Sequence, residues 1–199
     1  MKYLLALVLA FASFGTPRDA DAHLATFGSW EITREYLGEL FPEATDFLSR
    51  DVTYTDAQVA AIEKELGFSL YPEDKTPTFY IAVQNVGGKR KLLGVAIFID
   101  PRLQPKVIGG SVLRLEVGIA VNSKGQIHKI RVFDYRGNLA LTRPAFLDQF
   151  NGMKLDDKFV IGPKIKAVDG EAEESQLVAN AAREALYLMK VSLGKGAQK

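Results

Sequence analysis

Two stretches of this sequence carry residues whose type and spacing could bind or react. The first is Asp134-Tyr135-Arg136-Gly137-Asn138, a loop between a strand pattern and a helix pattern, followed shortly by Arg143. The guanidinium groups of Arg136 and Arg143 could clasp an anion through paired N–H donors. A solvated turn with charged edges accounts for the same residues. The second stretch is Val168-Asp169-Gly170-Glu171-Ala172-Glu173-Glu174-Ser175. A glycine turn that feeds a helix amino terminus directs unpaired amide N–H groups and the positive dipole end outward, the usual cradle for phosphate. Here Glu171, Glu173 and Glu174 occupy that end, compete for those donors and repel a phosphate, so a capped surface helix explains the pattern better than a phosphate cradle does. His128, beside Lys129 and Arg131, reads as a polar position on a sheet face.

The rest of the composition narrows the chemistry further. The 199 residues include no cysteine, which excludes disulfides, thiolate metal sites, iron–sulfur ligation and a thiol nucleophile. Histidine occurs at His23 and His128, too distant in sequence to form a self-evident metal site. Lys+Arg 25 against Asp+Glu 24 gives a formal net charge of +1, so no global field gathers phosphate backbones, and nucleic acid is not an expected partner. There is no serine nucleophile elbow, no phosphate-binding lysine loop and no dinucleotide fingerprint. Any chemistry must come from hydroxyls, carboxylates, amines or a borrowed cofactor.

The amino terminus reads as an address. Lys2 precedes an apolar run from Tyr3 to Phe14, Gly15-Thr16-Pro17 breaks it, and Ala20-Asp21-Ala22 supplies a small-x-small step. That order predicts a secretory signal peptide over residues 1–22, cleaved before His23. The apolar run is about a dozen residues, short of the roughly 20 that a membrane-spanning helix needs, so no transmembrane anchor is expected after cleavage. A periplasmic or secreted location follows, with residues 23–199 forming one domain that begins with a helical segment.

The elements that must position these residues have distinct patterns. Ser29 or a nearby residue opens a first helix with Ile32, Tyr36, Leu37 and Leu40 at helical spacing, closed by Pro42. Thr55 and Gln58 make a capping box for a second, with Val59, Ile62 and Leu66 on one face and Gly67 at the C-cap. Asp51 to Tyr54 reads as extended. From Thr78 the period becomes two: Phe79 to Val83, Leu92 to Asp100 and Val112 to Val121 predict strands, with Gly87-Gly88 turning the first pair. Asn122-Ser123-Lys124-Gly125 turns the chain into a return strand, Ile127 to Phe133. A short helix capped by Thr142 carries Phe146, Leu147 and Phe150 and stops at Gly152. A long helix from about Glu173 to Leu193 follows, acidic at its start and with Lys190 near its end. Helices before and after a run of antiparallel strands predict an α+β domain, a curved antiparallel sheet with helices packed on one side.

In order, Phe41-Pro42-Glu43-Ala44, Ile62 to Gly67, Val117-Gly118-Ile119-Ala120-Val121 with its glycine turn, Ile127 to Val132, Phe146 to Gly152, and Ile165 to Gly170 before an alanine-rich helix resemble the FMN-binding domain family. That family includes flavin-carrying subunits of sodium-translocating quinone reductase and small exported electron-transfer proteins. The resemblance runs from about Phe41 to Val191 and rests on the order and spacing of the motifs.

The resemblance implies a flavin site where the terminal helix begins. Flavinylated members carry a Gly-Ala-Thr step there, and the threonine bears FMN through a phosphoester. In this chain Gly170 matches, Glu171 stands at the alanine and Ala172 at the threonine. Ala172 has no hydroxyl to esterify, and the next hydroxyl is that of Ser175. The resemblance therefore implies FMN held noncovalently if at all, with Asp169, Gly170, Glu171, Ala172 and Ser175 shaping the site and Arg136, Arg143 or Lys164 serving the phosphate. The partner implied is a periplasmic or membrane redox protein. The alternative is a cofactor-free binding module that docks on a protein.

Overall fold

The structure is a computed structural model, and it describes residues 29–101, 107–108, 111–112, 115–133 and 135–193. The expected signal peptide and Asp134 lie outside the described residues. The elements in chain order are α1 (Trp30–Leu40), β1 (Asp46–Asp51), α2 (Asp56–Leu66), a 3-10 turn (Glu73–Lys75), β2 (Thr78–Val86), β3 (Lys89–Ile99), the short pair β4 (Val107–Ile108) and β5 (Ser111–Val112), β6 (Glu116–Asn122), β7 (Ile127–Phe133), a 3-10 turn (Leu139–Thr142), α3 (Pro144–Leu147), a further 3-10 turn (Asp148–Phe150) and α4 (Ala172–Leu193). Strands β1-β2-β3-β6-β7 form an open antiparallel sheet in that order, so the domain is α+β, as the alternation of patterns predicts.

The sheet has two unlike faces because its side chains alternate. Phe79, Ile81 and Val83 of β2, Val95, Ile97 and Ile99 of β3, Val117, Ile119 and Val121 of β6, and Ile130 and Val132 of β7 point into the main core. There they meet Val59, Ile62 and Leu66 of α2 and Val178, Ala182, Ala185 and Leu188 of α4. Each fully buried leucine, isoleucine or valine contributes about 1.5–3 kcal/mol, which makes this face the chief source of stability.

The opposite face is built from small residues. Ala82, Ala96 and Ala120 are buried there, and Gly94 and Gly118 belong to the same rows. Helix α1 lies on this floor with Leu37, Leu40 and Phe41, framed by Phe47, Tyr80 and Phe98. The expectation of helices on one side thus holds for α2 and α4, while α1 covers the other side. The reason is volume: alanine and glycine at alternate positions leave room above the sheet that only an added layer can fill.

Local signals place the helices well. The Ser29 hydroxyl accepts the Ile32 N–H at 3.3 Å, and the Thr55–Gln58 box is complete, with Gly67 at φ 81° ending α2. The 144–147 helix differs from expectation. Asn138, not Thr142, caps the turn before it by accepting the Ala140 N–H at 3.0 Å, while the Thr142 hydroxyl donates to Leu139 O. Strand β1 begins at Asp46, ahead of the extended stretch expected at Asp51, because its mixed sequence DFLSRD acquires strand conformation from pairing with β2.

Candidate functional site

The terminal helix starts where the sequence places it, and the turn before it is tightly specified. Gly170 has φ 78°, the left-handed region that favours glycine. The Glu171 N–H donates to Val168 O at 2.9 Å, and the Ser175 N–H donates to Glu171 O at 2.9 Å. The Ser175 hydroxyl accepts the Val168 N–H at 3.1 Å, and the residue is 0% exposed. Asp169, Gly170, Ala172 and Glu173 are exposed, Glu171 is half-buried and Glu174 is buried.

The 135–138 loop comes to this same place. Tyr135 is buried, its hydroxyl meets the Asn138 backbone, and the charges of Glu171 and Glu174 act on it. Burial first, then those two carboxylates, push its hydroxyl up to about 12. Gly137 passes beneath the ring: a Cβ there would meet the tyrosine oxygen at 2.3 Å. The loop that holds Arg136 and the turn that holds Gly170 are therefore neighbours through Tyr135. Arg136 and Arg143 are both exposed. Lys164 is drawn elsewhere, its Nζ lying 2.7 Å from Asp157 Oδ1. That lysine and the Lys154 N–H hold the Asp157 carboxyl below its usual range.

Two glutamines that the sequence reading passed over fix the approach to the helix. The Gln149 amide donates to Lys166 O at 3.1 Å and accepts the Lys166 N–H at 2.9 Å. Gln176 does the same for the next stretch, donating to Phe159 O and accepting the Ile161 N–H, each at 2.9 Å. These amides satisfy backbone groups on either side of the 162–164 turn, which the Ile161–Ile165 bridge closes outside the main sheet. No spacing rule marks such glutamines, because their partners are 15 or 17 positions away.

His128 occupies a different site. The register between β6 and β7 slips so that Ala120 faces Lys129 and Val121 faces Ile127, which leaves His128 as an extra residue. Its ring stacks on Phe41 at 5.4 Å, and its Nε2 lies 3.9 Å from Glu43 Oε1. Lys129 donates to the Glu39 carbonyl at 2.7 Å in the last turn of α1, where a cation favours the helix dipole. The polar positions of β7 therefore fasten α1 to the sheet.

The fit to a flavin at the helix start is poor at two points. Ala172 offers no oxygen, and the Ser175 oxygen is buried and engaged with Val168, so neither can carry a phosphoester. A phosphate at the amide N–H groups would meet Glu171 and Glu173, like charges worth about 1 kcal/mol each near 4 Å in water. Among the described residues no group of three or more histidines and carboxylates is arranged to hold a metal ion, and no helix is long and apolar enough to cross a membrane. The fold and this turn define an α+β domain with an open antiparallel sheet and a glycine-started terminal helix. No family model matches the chain, and no curated protein matches it in sequence.

Proposed function

We propose that this chain is an exported domain of the FMN-binding type that serves electron transfer, with FMN held noncovalently. One observation supports the reading: the left-handed Gly170 turn leads into Glu171 and Glu174, whose charges reach the buried Tyr135, and the exposed Arg136 follows Tyr135 in its loop. Because the helix start is acidic, the phosphate falls to Arg136 and Arg143. The flavin supplies the redox chemistry when bound, and the protein supplies position and electrostatic tuning. The partner would be a periplasmic or membrane redox protein. The test is a titration of the purified protein with FMN, followed by flavin fluorescence and the visible spectrum. Saturable uptake weakened by Arg136→Ala supports the reading, and no uptake with no flavin bands removes it.

A cofactor-free docking module is the second reading, favoured by the engaged Ser175 hydroxyl and by the exposed Asp169 and Glu173. Glu174 does not belong to such a patch, because it is buried. In this reading the helix start faces a basic surface on a protein partner. A salt-sensitive complex lost on Glu171→Gln with Glu173→Gln supports it, and a complex indifferent to both substitutions counts against it.

A further inference from the structure

Away from the glycine turn, two carboxyl groups are buried against each other. Asp74 stands in the Glu73–Lys75 turn and Glu184 stands in the middle of α4, at 6% and 5% exposure, and their side chains lie within hydrogen-bonding reach of one another. Among the described residues no donor reaches Asp74 Oδ2 or Glu184 Oε1. A hydrogen bond between two carboxyl groups needs a proton on one of them, since two carboxylates both only accept.

The surroundings hold that proton in place. Glu73 on the same turn and Asp100 after β3 act on Asp74 as like charges, and the backbone of Tyr71 provides a hydrogen bond that favours the anion. Arg183 is next to Glu184 in the chain, but its guanidinium donates to the carbonyls of Glu65 and Leu66. Burial is the largest cause for both groups and raises both carboxyls; the charges of Glu73 and Asp100 add to it at Asp74, where the contact with Glu184 acts in the opposite sense, while the charge and contact of Asp74 raise Glu184 further.

We infer that Asp74 and Glu184 form a proton-held latch that fastens the turn between α2 and β2 to the terminal helix and releases it as the medium becomes alkaline. The turn it holds is also a junction. Lys75 O accepts the Tyr54 N–H at 3.1 Å and Pro77 O accepts the Val52 N–H at 3.0 Å, so loosening the turn loosens the link from β1 to α2 as well. The sign follows from linkage. Both groups are raised above their unfolded values of about 4, so their contribution is complete below that pH, falls as pH rises above it and is gone once the closed pair has lost its protons too.

The experiment is a carboxyl carbon NMR titration of the full chain, with amide exchange at Asp74, Lys75 and Thr76 corrected for base catalysis. The latch predicts that both carboxyl signals titrate above pH 6, and that the opening constant of these amides rises with pH by about tenfold per unit for each proton that the closed pair holds and the opened pair has lost. Glu184→Gln keeps a donor for a charged Asp74 and flattens that rise. Both carboxyls titrating near 4, or an opening constant with the same pH course in wild type and Glu184→Gln, overturns the inference. Should the variant fail to fold, the wild-type titration alone decides.

Discussion

The Val168 N–H and the Ser175 hydroxyl meet at 3.1 Å in a place closed to solvent, joining the chain before the glycine turn to the first turn of α4. This single contact decides what Ser175 is for. The hydroxyl nearest the helix start is a structural acceptor. Ser175→Ala leaves the Val168 amide without its partner and is predicted to cost about 1–3 kcal/mol. Urea unfolding should show a lower midpoint with unchanged slope, and an unshifted midpoint would remove this role.

On the proposed flavin reading, two side chains and not the backbone of the turn separate this helix start from a tethered one. Ala172 is exposed at the start of the helix, and Gly170 keeps its left-handed conformation. The double substitution Glu171→Ala with Ala172→Thr should therefore acquire covalent FMN when coexpressed with a flavin transferase, while the wild type should not. Intact mass reads the outcome directly. A double variant that stays unmodified would mean that the enzyme reads features beyond these positions.

The docking of α1 depends on glycine in β3. A Cβ at Gly94 would lie 2.1 Å from Val121 O and 2.8 Å from the tip of the Phe41 ring. The first of these atoms is backbone and cannot yield without disturbing the β3–β6 pairing. Gly94→Ala is predicted to destabilise the domain by at least about 1–3 kcal/mol. Circular dichroism melting would check it, and a variant as stable as wild type would contradict the close approach.

Tyr54 anchors the far end of the terminal helix. Its hydroxyl donates to Leu188 O and meets Ser192 Oγ, both at 2.6 Å, and burial pushes it well above the ordinary tyrosine range. A raised acid contributes stability below its unfolded value of about 10 that is lost as pH rises beyond it. Tyr54→Phe should cost about 1 kcal/mol at neutral pH. It should also soften the fall in stability above pH 10; equal alkaline slopes for variant and wild type would argue against the assignment.

Capping offers a prediction made from sequence and geometry together. Thr55→Ala removes the acceptor for the Gln58 N–H and is expected to lower stability by about 1 kcal/mol. Thermal unfolding measures it, and a loss below a few tenths would show that Gln58 alone suffices.

Much of the fold was legible because it rests on local rules. The Thr55–Gln58 box, Gly67 and Gly87-Gly88 act within a few residues of themselves, and the alternation of Leu115, Val117, Ile119 and Val121 declares a strand wherever it lies. Strand β1 was largely missed, and so was the seat of α1. The DFLSRD segment has little strand character until β2 pairs with it, and the floor beneath α1 exists only once Ala82, Gly94, Ala96, Gly118 and Ala120 from neighbouring strands are side by side.

The candidate site divides in the same way. The residue order by itself determined that Gly170 would turn the chain into a long helix, that position 172 lacks a hydroxyl and that glutamates crowd the start. Tertiary structure alone decided that Glu174 faces inward, that Ser175 is occupied by Val168, that Lys164 answers to Asp157 and that Tyr135 shares the neighbourhood. It also decided that Asp74 and Glu184, 110 positions apart, should share one dry contact. Backbone conformation follows from forces acting over a few bonds, whereas burial and charge pairing depend on which distant segments the folded core brings together.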